Sequence, residues 1–163
     1  MASFGFWAES TRLGWFVTHY PWVWPACETL HFLGLALLIG NVGLLDLRLL
    51  GCWKGLPVQA LNRLIPWAVF GFAINLVTGI LFFFGAAHQY TDNVAFMWKL
   101  AFMALAGVNL TAFYVSGLAK KVDALGPDED APMPAKLVAG CSLVSWFCVM
   151  YFGRMLPYIG GSF

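Results

Sequence analysis

The chain has 163 residues, of which 61% are hydrophobic and 10% charged, with a formal net charge of +1. Soluble domains carry roughly 25% charged residues, so this chain cannot cover a water-facing surface and its solvent must be largely lipid. The near-neutral balance excludes an electrostatic nucleic-acid binder, which needs a basic footprint.

Residues 6–24 come first. They carry Trp7, Trp15, Trp22 and Trp24, are broken by Pro21, are followed by Pro25, and are too polar to span a bilayer. The pattern predicts an amphipathic helix lying in the interface, with its indoles at headgroup depth. Glu9, Arg12 and His19 interrupt it, which does not fit the basic start and clean apolar core of a removable signal peptide. Crossing the hydrocarbon takes about 20 apolar residues. The segments 26–47, 65–86, 94–117 and 137–157 meet that requirement. Backbone groups in lipid must pair within their own segment, which leaves helix as the solution. The expected fold is all-α. It is a single membrane domain over 1–163, a four-transmembrane-helix bundle preceded by an N-terminal interfacial amphipathic helix.

Loop one (51–64) carries Lys54 and Arg63, with Arg48 just before it. Loop two (87–93) carries His88, Tyr90 and Asp92. Loop three (118–136) holds Lys120, Lys121 and Lys136. Its stretch Gly126-Pro127-Asp128-Glu129-Asp130 reads as an exposed turn, and Pro132 and Pro134 are expected to stop any helix. The positive-inside rule puts loops one and three in the cytoplasm. Both termini and loop two then face the periplasm or exterior, and the expected location is a bacterial inner membrane. Cys27, Cys52, Cys141 and Cys148 form no CxxC pair; they read as buried small hydrophobes without a disulfide framework.

This topology gathers ionisable residues at the outer end. His19 precedes the first span, Glu28 and His31 lie in its first turns, and His88 follows the second. Lys99 lies early in the third span, and Arg154 lies near the end of the fourth with Tyr158 beyond it. Glu28 and His31 are three apart and share a helix face; Arg154 and Tyr158, four apart, do likewise. An ionisable group at the centre of a span costs about 2.5–3.5 kcal/mol on insertion scales. These lie off-centre, cost less, and could pair with one another if turned inward. Each also has an ordinary reading. Lys99 and Arg154 can snorkel to headgroups, Glu28 suits a helix N-terminus, His31 can serve a structural hydrogen bond, and His19 and His88 can be exposed. At the inner end Asp46 and Arg48 are two apart and do not face each other, so Asp46 is expected to reach another helix or cap the loop. Asn41, Asn75, Thr78, Asn109, Thr111, Ser142 and Ser145 read as interhelical hydrogen-bonding groups. Gly34, Gly40, Gly43, Gly71, Gly79 and Gly107 read as points of close helix approach.

The stretches Glu28-Thr29-Leu30-His31-Phe32-Leu33-Gly34 and Leu44-Leu45-Asp46-Leu47-Arg48-Leu49-Leu50-Gly51 resemble a family of bacterial four-helix membrane proteins of unknown function. The likeness continues through Leu64-Ile65-Pro66-Trp67-Ala68, Ala95-Phe96-Met97-Trp98-Lys99-Leu100 and Gly153-Arg154-Met155. It implies the four-helix fold and draws attention to Glu28, His31, Lys99 and Arg154, but implies no activity. There is a looser architectural likeness to small haem-carrying or copper-handling membrane bundles.

The leading expectation is haem b, or a related redox cofactor, bound at the outer face for electron transfer. His31 and His88 are the candidate metal ligands. Glu28, Lys99, Arg154 and Tyr158 complete the cofactor-binding set, with Lys99 and Arg154 meeting propionates and Phe96 and Trp98 walling the ring. A copper-handling site built on Cys27, His31, Met97 and Met155 is an alternative. So is a non-enzymatic subunit that binds a quinone or small anion. Whether the chain is an enzyme stays open. The expected partners are the lipid bilayer and a second copy or a membrane redox protein. No GxSxG, HExxH or phosphate-binding glycine loop occurs, so hydrolytic catalysis has no motif behind it.

Overall fold

The computed structural model describes residues 2–126 and 128–159. Pro127, part of the turn expected in loop three, lies outside them. In chain order the helices are α1 (Ala2–Glu9), α2 (Arg12–His19), α3 (Val23–Leu49), α4 (Val58–Asn62), α5 (Ile65–Gly85), α6 (Ala87–Thr91), α7 (Val94–Val115), α8 (Leu118–Asp123) and α9 (Met133–Met155). Among the described residues there is no strand. α3, α7, α9 and the run from α4 through α5 are long and apolar enough to cross a membrane. The chain is thus a four-helix membrane bundle with a helical segment before it, as its composition implies.

The N-terminal segment is two short helices rather than one. Thr11 ends the first by donating to the Ala8 carbonyl at 2.6 Å and caps the second by accepting from the Gly14 amide at 3.2 Å. Thr is a favoured N-cap because its oxygen satisfies one orphan amide of the first turn. Trp7, Trp15 and Trp22 are exposed. Trp24 instead folds inward, its ring 5.0 Å from that of Phe82. The prolines of loop three do not stop a helix; they start one. Pro132 is the N-cap of α9 and Pro134 sits in its first turn, where a missing amide leaves nothing unpaired.

α3 packs most closely on α5, and α7 on α9, while α3 and α9 join the two pairs. The α3–α5 crossing is set by two glycines. A Cβ on Gly71 would fall 2.6 Å from the Gly34 carbonyl oxygen and 2.8 Å from the Leu38 amide. Only glycine allows that approach. Three of the other glycines expected at close approaches differ, for a Cβ on Gly40, Gly79 or Gly107 would meet nothing within 4 Å. They face away from the protein's own helices, contrary to the role expected of them. Gly71→Ala should therefore cost about 2 kcal/mol through overpacking, whereas Gly40→Ala should stay within about 0.5 kcal/mol of wild type. Denaturation in mixed micelles would compare them, and equal effects would contradict this crossing.

One end of the bundle is closed by Arg48, which is fully buried. Its Nε donates to the Leu56 carbonyl at 2.8 Å and its Nη2 to the Glu129 carbonyl at 3.2 Å. One guanidinium thus ties loop one to loop three. Gly51, which follows, has φ of +103°, a conformation that favours glycine. Asp130 joins Lys54 at 3.2 Å and Lys136 at 2.7 Å across the same loops. Those two ammonium groups hold its carboxyl below the usual range. Asp46 is buried, and its Oδ2 has no hydrogen-bond partner among the described residues. The four cysteines are free, and of them only Cys27 is buried.

Candidate functional site

The opposite end of the bundle carries all three histidines. The Gly34–Gly71 crossing fixes what faces what. His31 lies one turn before Gly34 on α3. Thr78 lies two turns after Gly71 on the antiparallel α5. The His31 Nδ1 and Thr78 Oγ1 are 2.7 Å apart, and Thr78 is buried. The Thr78 hydroxyl also lies 2.8 Å from the Ile74 carbonyl. When its hydrogen goes there, the hydroxyl accepts from Nδ1–H of the neutral ring, and Nε2 keeps a lone pair. A ring oriented through Nδ1 with its other nitrogen free is the arrangement a metal-ligating histidine needs. Phe82 meets this ring edge-on at 5.7 Å, and Trp24 packs behind Phe82.

One cation, Lys99, approaches from the other helix pair. Lys99 on α7 is half-buried and lies near enough to act on His31 electrostatically. Its side chain passes Gly153 of α9, where a Cβ would stand 3.7 Å from Nζ. Arg154 follows directly and is exposed. Among the described residues, neither Lys99 nor Arg154 forms an ion pair or a side-chain hydrogen bond. Glu28 is not their partner. It accepts from the Trp24 indole at 3.3 Å, and its charge acts on Tyr90. Burial first, and then Glu28, push the Tyr90 phenol up. Asn75, one turn from Thr78, has both amide atoms buried without a partner. Its Oδ1 would lie 2.9 Å from a Cβ on Gly34.

The structure does not bring every expected residue to this place. His88 lies on α6 and is engaged by Glu9 of α1. The Glu9 carboxylate accepts from the His88 amide at 2.9 Å and also from its Nδ1, while Phe6 stacks on the ring. His31 and His88 thus have separate partners. His19 is exposed and stacks on Trp15. Tyr158 does not share a helix face with Arg154, because α9 ends at Met155 and Tyr158 is exposed beyond it. Pro157 lacks the amide that would continue the helix. Of the soft donors, Cys27 packs with Val17 and Val23, and Met97 is exposed. Among the described residues no group of three or more His, Cys, Asp or Glu converges. Phe96 stacks on Phe83 of α5, and Trp98 on Phe152 of α9.

The Glu9–His88 contact holds α1 over this end of the bundle. Burial alone would raise the Glu9 carboxyl. Hydrogen bonds from the His88 amide and ring outweigh it and hold the carboxyl below the usual range. A carboxylate held down in the docked state stabilises docking above the ordinary carboxylate range. That contribution is lost as pH falls through the lowered value. Amide exchange in α1 should therefore speed up on acidification, and Glu9→Gln should flatten the dependence. Equal profiles for the two proteins would show that the pair does not hold the helix.

One structural residue was missed in the sequence reading. Asn93 is fully buried. Its Oδ1 accepts from the Ala95 and Phe96 amides at 2.9 and 3.3 Å, and its Nδ2 donates to the Leu156 carbonyl at 3.0 Å. It starts α7 and fastens it to the end of α9, placing Lys99 beside Gly153. An Asn immediately before an apolar run was the available signal.

Comparison with known proteins finds a family of unknown function, DUF6644, matching residues 4–160, and the chain belongs to it. No curated protein and no solved structure matches.

Proposed function

We propose that this member of a family of unknown function binds haem b at the outer end of its bundle, as an electron-transfer protein of a bacterial inner membrane. The reading is carried by His31, whose Nδ1 is committed to Thr78 and whose Nε2 is left as a free base. The donor set suits the group. Nε2 would hold the iron as a nitrogen ligand, and Lys99 and Arg154, which form no ion pair among the described residues, would meet its carboxylate-bearing edge. Phe82 packs edge-on against the ring, with Trp24 behind it. Bound there, haem would supply one-electron chemistry. The chain's own part is to fix the imidazole and neutralise the acidic groups. The basic loops one and three support the orientation, with both termini on the periplasmic side.

The two unpaired cations also favour a second reading, a site for a small anion. Visible spectra of the purified protein before and after dithionite, with iron analysis and haem titration, separate the two. A Soret band with sharpened reduced α and β bands supports haem. A featureless spectrum that added haem does not change rejects it, and leaves anion binding through Lys99 and Arg154 to be measured.

A further inference from the structure

The end of the bundle closed by Arg48 carries a charged surface that is independent of the haem reading. Two short helices form it. α4 buries Val58 and Leu61, and α8 buries Ala119 and Val122. Val58, Ala119 and Val122 share one core with Leu49, Phe113 and Ala135 of the spans, so both helices are fixed to the bundle by their apolar sides. They are also fixed to each other. Asn62 Nδ2 donates to the Asp123 carboxylate at 2.7 Å, and Gln59 Nε2 donates to the Asp123 carbonyl at 2.7 Å. Arg63 follows Asn62 directly, and Lys120 lies one turn before Asp123 on the same face of α8. The contact therefore puts Arg63 and Lys120 on adjoining helix ends, with Lys121 next in the chain. All three are exposed. Among the described residues, none of them forms an ion pair or a side-chain hydrogen bond. Against them the two helices bring one carboxylate, Asp123, already taken by the Asn62 amide, so the surface is positive. Its depth is marked by aromatic residues. Trp67 lies in the first turn of α5 and Tyr114 in the last turn of α7, and both are exposed. Exposed Trp and Tyr at the ends of spans sit at headgroup level, which puts these cations beside lipid phosphates.

We propose that the joined ends of α4 and α8 bind the headgroup of an anionic phospholipid, its phosphate meeting Arg63 and Lys120, with Lys121 adding to the charge. Native mass spectrometry of the full-length protein in detergent tests this, by titration with phosphatidylglycerol and with zwitterionic phosphatidylcholine. Wild type should bind phosphatidylglycerol the more tightly. Arg63→Gln and Lys120→Gln should each weaken it by about fivefold, the effect of one cation near a charged membrane surface. Replacing Arg63, Lys120 and Lys121 together by Gln should leave the two lipids bound alike. Arg63→Lys keeps the charge and should bind within about twofold of wild type. Arg12→Gln, which removes an exposed cation at the opposite end, should leave the preference in place. The proposal is overturned if wild type binds the two lipids equally, if the triple variant keeps the preference, or if Arg12→Gln loses it. The first of these outcomes would assign the surface to an acidic partner from solution.

Discussion

His31→Ala is expected to abolish the Soret band entirely, with the protein still folded. His31 makes one interhelical hydrogen bond, and the α3–α5 crossing rests on Gly34 and Gly71. Loss of the band should therefore not be loss of the bundle. Thr78→Val gives the sharper result. It keeps the ligand but removes the acceptor that holds Nδ1–H. Loss of such a supporting partner lowers affinity by about 10- to 100-fold. Haem affinity should therefore fall by that factor in Thr78→Val and be unmeasurable in His31→Ala. Lys99→Gln should weaken binding without moving the band. Haem bound equally well by His31→Ala would remove His31 from the site.

Arg48→Met should be the most destabilising single change at the other end. It leaves the Leu56 and Glu129 carbonyls without their donor. Hydrogen bonds from a charged group contribute about 1.5–3 kcal/mol each, so a loss of about 3 kcal/mol is expected. Proteolysis should become faster in loops one and three, which this residue joins. Arg48→Lys should recover part of the loss, since an ammonium is a single point donor and cannot span two carbonyls as a guanidinium fork does. A change below about 0.5 kcal/mol, the range of surface substitutions, would contradict the burial of Arg48. Arg48 thus has a structural explanation in the two loops it joins.

The long helices were legible because a run of some 20 apolar residues has few other solutions. The candidate site was legible only in part. Spacing along one helix put Glu28 and His31 on the same face, but His31 turns to Thr78 and Glu28 to Trp24. The His31 partner depends on which glycine faces which helix, whereas Trp24 and Glu28 are four apart on α3 itself. Gly34 and Gly71 meet, while Gly40 and Gly79 face outward, and nothing in the residue type distinguishes them. The Glu9–His88 contact joins residues far apart in sequence, so local pattern could not reveal it. Thr11 and Asn93, by contrast, were readable as N-caps. Both announce a helix start by residue type alone, and both were passed over because apolar runs dominate the chain.

The most direct test of the central claim is the protonation of the His31 ring, followed by nitrogen NMR of histidine-labelled protein without added cofactor, with His31→Ala to assign the signals. The neutral ring with its proton on Nδ1 and an unprotonated Nε2 is expected, and Thr78→Val should redistribute that proton. A proton on Nε2 in the wild-type protein, or a ring that stays doubly protonated at neutral pH, would contradict a histidine poised to ligate.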